Sequence, residues 1–360
     1  MSVAVLGASG GVGRSAVRRL RALGIRPLRV GARSLSVART VRAEDLDGEG
    51  DAMAVDLHDE AQLAAFCHGT RIVLNCAGPS LRIGDRVARA ALGAGADYVD
   101  AGGDEALHAR LTGQVPPGAR ALVSAGVQPG LSGLLVRALA EAAQGELELV
   151  AHGGGLGHFT PSAAVDYLAG LGTAGTAQAA WRDGAVVGAA LAARTDVAVD
   201  GFPGRVRVQP FLTHELVRVA AALGLRAAEW WTVFDGERVA CALRRRTEPA
   251  ELMAAAAIDA FGRAAYQQFT LVMHGSERSA VATLRGREPV ALTGDIAALA
   301  VAAVDAGAVA PGLGFAGETL DVDAVLAGLR DSENVESLAV SAYAPDADAD
   351  AGGLLVEGSV

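Results

Sequence analysis

The stretch "VAVLGASGGVGRSAVRRL", residues 3–20, carries a short apolar run into a glycine cluster and then into an arginine-rich segment. Gly7, Gly10 and Gly13 stand at G-x-x-G-x-x-G spacing, with Gly11 as an extra glycine. The pattern predicts a strand ending at Leu6, a tight turn, and a helix whose first amides and positive dipole end face an anion. Glycines let such a turn approach a pyrophosphate, while Ser9 adds a hydroxyl donor and Val12 lies in the same amide-presenting segment. A tight strand-to-helix turn also needs glycine for its own sake, so the triplet takes its meaning from the rest of the chain.

Beyond Leu20 the chain alternates. Residues 3–6, 27–31, 52–56, 71–76, 97–99 and 121–125 read as short strands, with amphipathic helical patterns at 14–23, 60–66 and 82–92. Short connections between them imply right-handed crossovers and a parallel sheet covered on both faces, an α/β Rossmann doubly wound domain over 1–127. After Gln128 the rhythm changes. Residues 144–150, 204–210, 229–235, 237–243, 267–274 and 280–284 read as longer strands, the last two joined by a hairpin turn at 274–277. Helical patterns at 161–169, 213–222 and 248–264 separate them, which predicts an inserted α+β domain with a mixed or antiparallel sheet over 128–290. Residues 291–345 are expected to form C-terminal helices packing back on the Rossmann domain. The acidic, small-residue tail 346–360 is expected to be partly mobile.

Composition narrows the chemistry. The 360 residues, 51% hydrophobic and 20% charged, suit two globular domains and not a disordered chain. No apolar run approaches the ~18 residues of a membrane span, and Gly7 interrupts the first apolar stretch before it could act as a cleavable signal. A cytoplasmic protein without a membrane partner is expected. The net charge of −10 argues against nucleic acid as a partner, because phosphate backbones need a basic face. All 31 basic residues are arginine, which removes every lysine-dependent step: Schiff-base formation, a lysine base, a phosphate-loop lysine. Cys67, Cys76 and Cys241 match neither zinc nor disulfide spacing and read as core residues; no metal set or nucleophile elbow is present.

Cofactor type is set at the end of the second strand. There "RVGARSLSVAR" (29–39) offers Arg33 and Ser34 where an acid would hold a ribose diol, so NADP(H) is expected in place of NAD. At the third strand end, "AVDLHD" (54–59) puts Asp56 within reach of an adenine amino group and Leu57 against its ring. At the fourth, "LNCAGPS" (74–80) puts Asn75, Ala77, Gly78 and Pro79 along the nicotinamide ribose. Both segments are also ordinary strand-to-loop breaks.

With "GADYVDAGGD" (95–104) and "SAGVQPGLSGLL" (124–135) added, the succession resembles the saccharopine dehydrogenase-like family of NADP-dependent oxidoreductases. The likeness is specific from Val3 to Leu135, weaker over 292–329, and loose between. It implies a Rossmann domain completed by C-terminal helices and an inserted domain carrying substrate contacts and a homodimer surface. Relatives reduce C=N bonds, as in saccharopine formation; others are trans-acting enoyl reductases, and some reduce a thiazoline ring on nonribosomal peptide assembly lines. Here Asp104 is shorter than the family's second acid, residues 129–132 ("PGLS") fit the saccharopine-like branch, and no arginine cluster suits the several carboxylates of saccharopine.

Reducing a C=N bond needs a proton donor beside the hydride. The segment "HGGGLGHFTPSAAVDYLAGL" (152–171) supplies His152, His158, Thr160, Asp166 and Tyr167 on or near a loop entering a helix. His158 and Tyr167 are the candidate donors, with Asp104 a third catalytic candidate whose plain alternative is a helix cap. His214 and His274 read as structural. Of Trp230 and Trp231, adjacent on a strand, one at most can floor a pocket. The expected activity is an NADPH-dependent reductase of an imine, best a thiazoline, in natural product biosynthesis, on a small-molecule or carrier-protein-bound substrate. The alternatives are an enoyl reductase and a non-catalytic NADPH-binding sensor.

Overall fold

The computed structural model describes residues 1–245 and 247–344, and the backbone of 356–357. The chain divides into two compact units: Met1–Leu131 with Val290–Leu329, and Ser132–Pro289 with Arg330–Val360.

The first unit holds seven parallel strands. In chain order these are β1 (Ser2–Leu6), β2 (Leu28–Ala32), β3 (Asp51–Ala54), β4 (Thr70–Asn75), β5 (Asp97–Asp100), β6 (Arg120–Val123) and a last strand, Gly312–Phe315. Their spatial order is Gly312–Phe315, β6, β5, β4, β1, β2, β3. Every residue of β1 is buried, as a central strand covered on both faces requires. The chain order reverses on either side of β1, so the crevice at the carboxyl ends of β1 and β4 is the topological switch point.

Helix Gly11–Ala22 follows β1 and buries Gly13, Ala16, Val17 and Leu20, one stripe at helical spacing. Its arginines turn the other way. Arg14 and Arg18 donate to the buried Asp45 carboxylate at 2.8 and 2.6 Å, tying this helix to the next, Leu35–Asp45. Helix Pro289–Asp305 returns to the same side: Ser15 Oγ donates to the Ala291 carbonyl at 2.9 Å.

The second unit is built on an eleven-stranded mixed sheet. Its central strand, β7 (Leu147–Leu156), pairs in parallel with Ala227–Phe234 and antiparallel with Tyr266–Gly275. The latter forms a hairpin with Ser279–Gly286. Alternation sends the adjacent tryptophans to opposite faces. Trp231 joins a cluster with Leu156, Val208, Val233 and Tyr266, whereas Trp230 sits edge-on to Phe269 with ring centroids 6.1 Å apart.

Four expectations are corrected. Residues 237–243 are no strand but the start of helix Glu237–Arg244, whose leading amides at Arg238 and Val239 bond to the Asp259 carboxylate at 3.1 and 2.9 Å. Residues 312–315 form a strand where a loop was expected, with Leu313 in register with Ala121. The segment after Leu329 does not return to the Rossmann unit as helix; Val335–Tyr343 is a strand along Ser279–Gly286 in the second sheet. His152 is not in a loop: Gly153, Gly154 and Gly155 continue β7, paired on both sides, so His152 is mid-strand. The tail expected to be mobile, 346–360, lies outside the described residues apart from the backbone of 356–357.

Candidate cofactor and catalytic site

The glycine loop has the shape of a cradle. Gly7 has φ +73°, and a Cβ there would stand 2.7 Å from the Ala77 amide nitrogen. A Cβ on Gly13 would lie 2.2 Å from the Gly7 carbonyl oxygen, so only glycine lets the helix start this close to the strand. The loop closes through Gly10 N–H to Gly7 O, 3.0 Å. Gly10 caps the helix without a side-chain bond, no acid stands in the first turn, and Ser9, Gly10 and Gly11 are exposed. The first amides of a helix have no intrahelical acceptor. A diphosphate fits there: the glycines leave it room, and the amides of Gly11, Val12 and Gly13 offer donors.

At the end of β2, Arg33 and Ser34 are exposed, and Arg33 makes no hydrogen bond or ion pair among the described residues. Ser34 is the N-cap of helix Leu35–Asp45 and shares a 2.8 Å hydroxyl contact with Ser36. A guanidinium, two hydroxyls and an uncapped helix start suit a phosphate monoester. At the third strand end Asp56 is turned to its own loop, its Oδ1 accepting from His58 N–H at 2.9 Å. Leu57 packs against the first unit's core.

The fourth strand end is held by a buried network. Asn75 Oδ1 accepts from Ala77 N–H at 3.1 Å, and its Nδ2 donates to Asp100 Oδ2 at 3.1 Å. Asp100 also accepts from the Tyr98 hydroxyl and, at 2.9 Å, from Gly102 N–H. Burial, with Asp100 alongside, holds the Tyr98 phenol well above its ordinary range, and burial likewise pushes the Cys76 thiol up. Gly78 is exposed, and Ala77 and Pro79 are half-buried.

The catalytic candidates are distributed. Asp104 accepts from Ala106 and Leu107 N–H at 3.0 and 3.4 Å and so caps helix Glu105–Leu111. In the second unit His158 is exposed, with no hydrogen-bond partner among the described residues. Tyr167 packs on Phe159 with centroids 5.3 Å apart, and burial raises its phenol to about 12. Thr160 caps the helix that carries Tyr167, its Oγ1 accepting from Ala163 N–H at 3.2 Å. His152 is 1% exposed and stacked on Trp231 at 6.3 Å; burial, then Arg194, lowers it to about 4, so it is a neutral core residue.

Sequence reasoning missed the first turn of helix Pro289–Asp305. A Cβ on Gly11 would lie 2.5 Å from Val290 Cγ1, and one on Gly126 3.5 Å from Thr293 Cγ2, so this turn backs the glycine loop. Asp100 and Tyr98 were missed as site residues too, although both lie within the strand run "DYVD" (97–100). Among the described residues no group of three or more His, Cys, Asp or Glu is placed to hold a metal ion, and no helix is long and apolar enough to cross a membrane.

Residues 3–130, which carry the glycine loop and the strand ends around it, match the family described as the saccharopine dehydrogenase NADP binding domain. No curated protein matches the sequence. Among solved structures, the chain is similar to saccharopine dehydrogenase (L-Glu forming) from Saccharomyces cerevisiae at 15% identity and a TM-score of 0.68, over 95% of this chain and 100% of that one. It is more distantly similar to a putative myo-inositol dehydrogenase from Sinorhizobium meliloti 1021 at 12% identity and a TM-score of 0.47, over 91% and 94% of the chains. The first of these shows the same fold.

Proposed function

Residues 3–130 matching the saccharopine dehydrogenase NADP binding domain, we propose that the protein is an NADP(H)-dependent oxidoreductase that reduces the C=N bond of a thiazoline or related imine presented on a carrier protein. When bound, NADPH supplies the hydride to carbon. The chain must then hold the cofactor, align the C=N carbon, and give a proton to nitrogen, so that C=N becomes CH–NH.

The glycine loop and the helix amides behind it would hold the diphosphate of the cofactor, and Arg33 with Ser34 would hold its 2′-phosphate. His158 and Tyr167 are the two candidates for the proton donor. A nitrogen takes a proton from an imidazole or phenol directly, and a chain without lysine has few other donors of suitable pKa.

The observation that carries the substrate class is the pairing of arginines in the second unit. Arg182, Arg205, Arg226, Arg263 and Arg285 each hold an ion pair with an acid of that unit. Arg194 lies over the Trp231 ring and Arg278 donates to the Ala142 carbonyl, which engages two more of the unit's arginines within the protein. An uncharged ring on a carrier arm suits that supply of cations.

The test follows NADPH absorbance with a thiazolinyl thioester, an enoyl thioester and a saccharopine-type imine. Turnover of the first is expected. Turnover of the enoyl thioester alone makes the protein a C=C reductase, and silence with all three leaves a cofactor-binding protein without this chemistry.

A further inference from the structure

We infer that Asp100 is a positioning residue for the nicotinamide half of the cofactor, shaping the wall at residues 75–79 without touching the dinucleotide; the inference rests on the NADP(H) reading of the crevice.

Asp100 is the last residue of β5 and is 2% exposed. Its carboxylate accepts from three groups on three segments: the Tyr98 hydroxyl beneath it, the Asn75 amide from β4, and Gly102 N–H from its own loop. A buried carboxylate persists only where such donors surround it. The network then spreads along the carboxyl edge of the sheet. Asn75, oriented by Asp100, folds the chain back through Ala77 N–H. Cys76 N–H meets Leu6 O at 2.9 Å and Ala77 abuts Gly7, so the fourth strand's loop is keyed to the glycine loop.

On its other side, Ala125 N–H meets Asp100 O at 2.8 Å and Ser124 N–H meets Gly102 O at 2.6 Å. Ser80 Oγ, one residue past the wall, accepts from Gly103 N–H at 3.1 Å. One acid therefore sits where the loops after β4, β5 and β6 meet. In a doubly wound fold these strands form the second mononucleotide half, while β1 to β3 serve the adenosine half. Loss of Asp100 should disturb one half only.

This asymmetry sets the experiment. NADPH and adenosine 2′,5′-bisphosphate, which carries only the adenosine half, are titrated against wild type and Asp100→Asn, with thermal unfolding as a control for folding. The variant is expected to bind NADPH at least about tenfold more weakly and the bisphosphate within about twofold of wild type. Equal losses for both ligands, or no loss for either, overturn the role of Asp100. Failure of wild type to bind either ligand overturns the cofactor reading and the inference with it. Should Asp100→Asn not fold, Tyr98→Phe, which removes one donor and keeps the carboxylate, carries the test. It is expected to show the same one-sided loss at about threefold, and a two-sided or absent effect counts against the proposal.

Discussion

Gly7 and Ala77 belong to different strand ends and yet occupy one van der Waals space, the missing Cβ of the first lying 2.7 Å from the amide nitrogen of the second. The glycine that lets β1 turn into its helix is also the glycine that lets the β4 loop close over it. Gly7→Ala therefore meets both a positive φ of 73° and a backbone clash. We expect a stability loss of about 2 kcal/mol and a fall in NADPH affinity of at least about tenfold, read by denaturant unfolding and by fluorescence titration. Wild-type affinity in a folded Gly7→Ala protein would contradict the cradle.

Under the proposed placement of the cofactor, Arg33 decides between NADPH and NADH. Replacing it with alanine would remove the proposed charge-assisted contact to the 2′-phosphate and nothing that NADH uses. NADPH affinity is expected to drop by roughly 10- to 100-fold, about 1.4 to 2.8 kcal/mol, with NADH affinity unchanged. Parallel loss of both would place the phosphate elsewhere.

The two candidate proton donors separate by substitution and pH. With the Tyr167 phenol raised to about 12, a reaction drawing its proton from Tyr167 keeps its rate as pH rises to about 10. Tyr167→Phe would then lower kcat by about 100-fold or more while His158→Gln leaves it near wild type. The reverse ordering, with His158→Gln lowering kcat by about 100-fold or more and Tyr167→Phe leaving it near wild type, assigns the proton to His158.

His152 makes acid stability a property of the second sheet. Its folded value of about 4 lies below the ordinary 6.5, so the unfolded chain takes up the proton first. The stabilisation is complete above about pH 6.5, declines as pH falls toward 4, and is gone below that, an effect on the order of 3 kcal/mol. In urea unfolding between pH 7 and 4, His152→Leu should show a shallower loss than wild type. Identical slopes would remove His152 as a source of the acid sensitivity.

The sequence showed the first unit through regular alternation: six strand runs, each ending in a turn, project almost directly onto β1 to β6. Gly312–Phe315 escaped because four residues, two of them glycine, carry no period, and the pairing with β6 that makes them a strand is remote in the chain. Residues 237–244 deceived for a related reason. Their E-R-V-A-C-A-L order satisfies either period weakly, and the helix is fixed by a cap from Asp259, 20 positions away from Val239. The residues proposed to bind phosphate were readable because each sits at the end of its own strand. The Asn75, Tyr98 and Asp100 network was not, since an acid's meaning there depends on which strands lie side by side. His152 was misplaced because three glycines suggested a loop, whereas here they let aromatic rings press close: a Cβ on Gly153 would lie 2.7 Å from the Phe269 ring.

The last strand of the parallel sheet bears on how the molecule is made. Gly312–Phe315 must find Arg120–Val123 across about 190 positions of chain, and helix Pro289–Asp305, which backs the glycine loop, is synthesised just before it. During translation β6 waits as an open edge while residues 132–289 of the second unit emerge. High contact order of this kind predicts slow completion of the first unit. A nascent chain halted before residue 290 would expose an unfinished sheet to chaperones, and the protein gains a finished cofactor crevice only after residues 132–289 have been made.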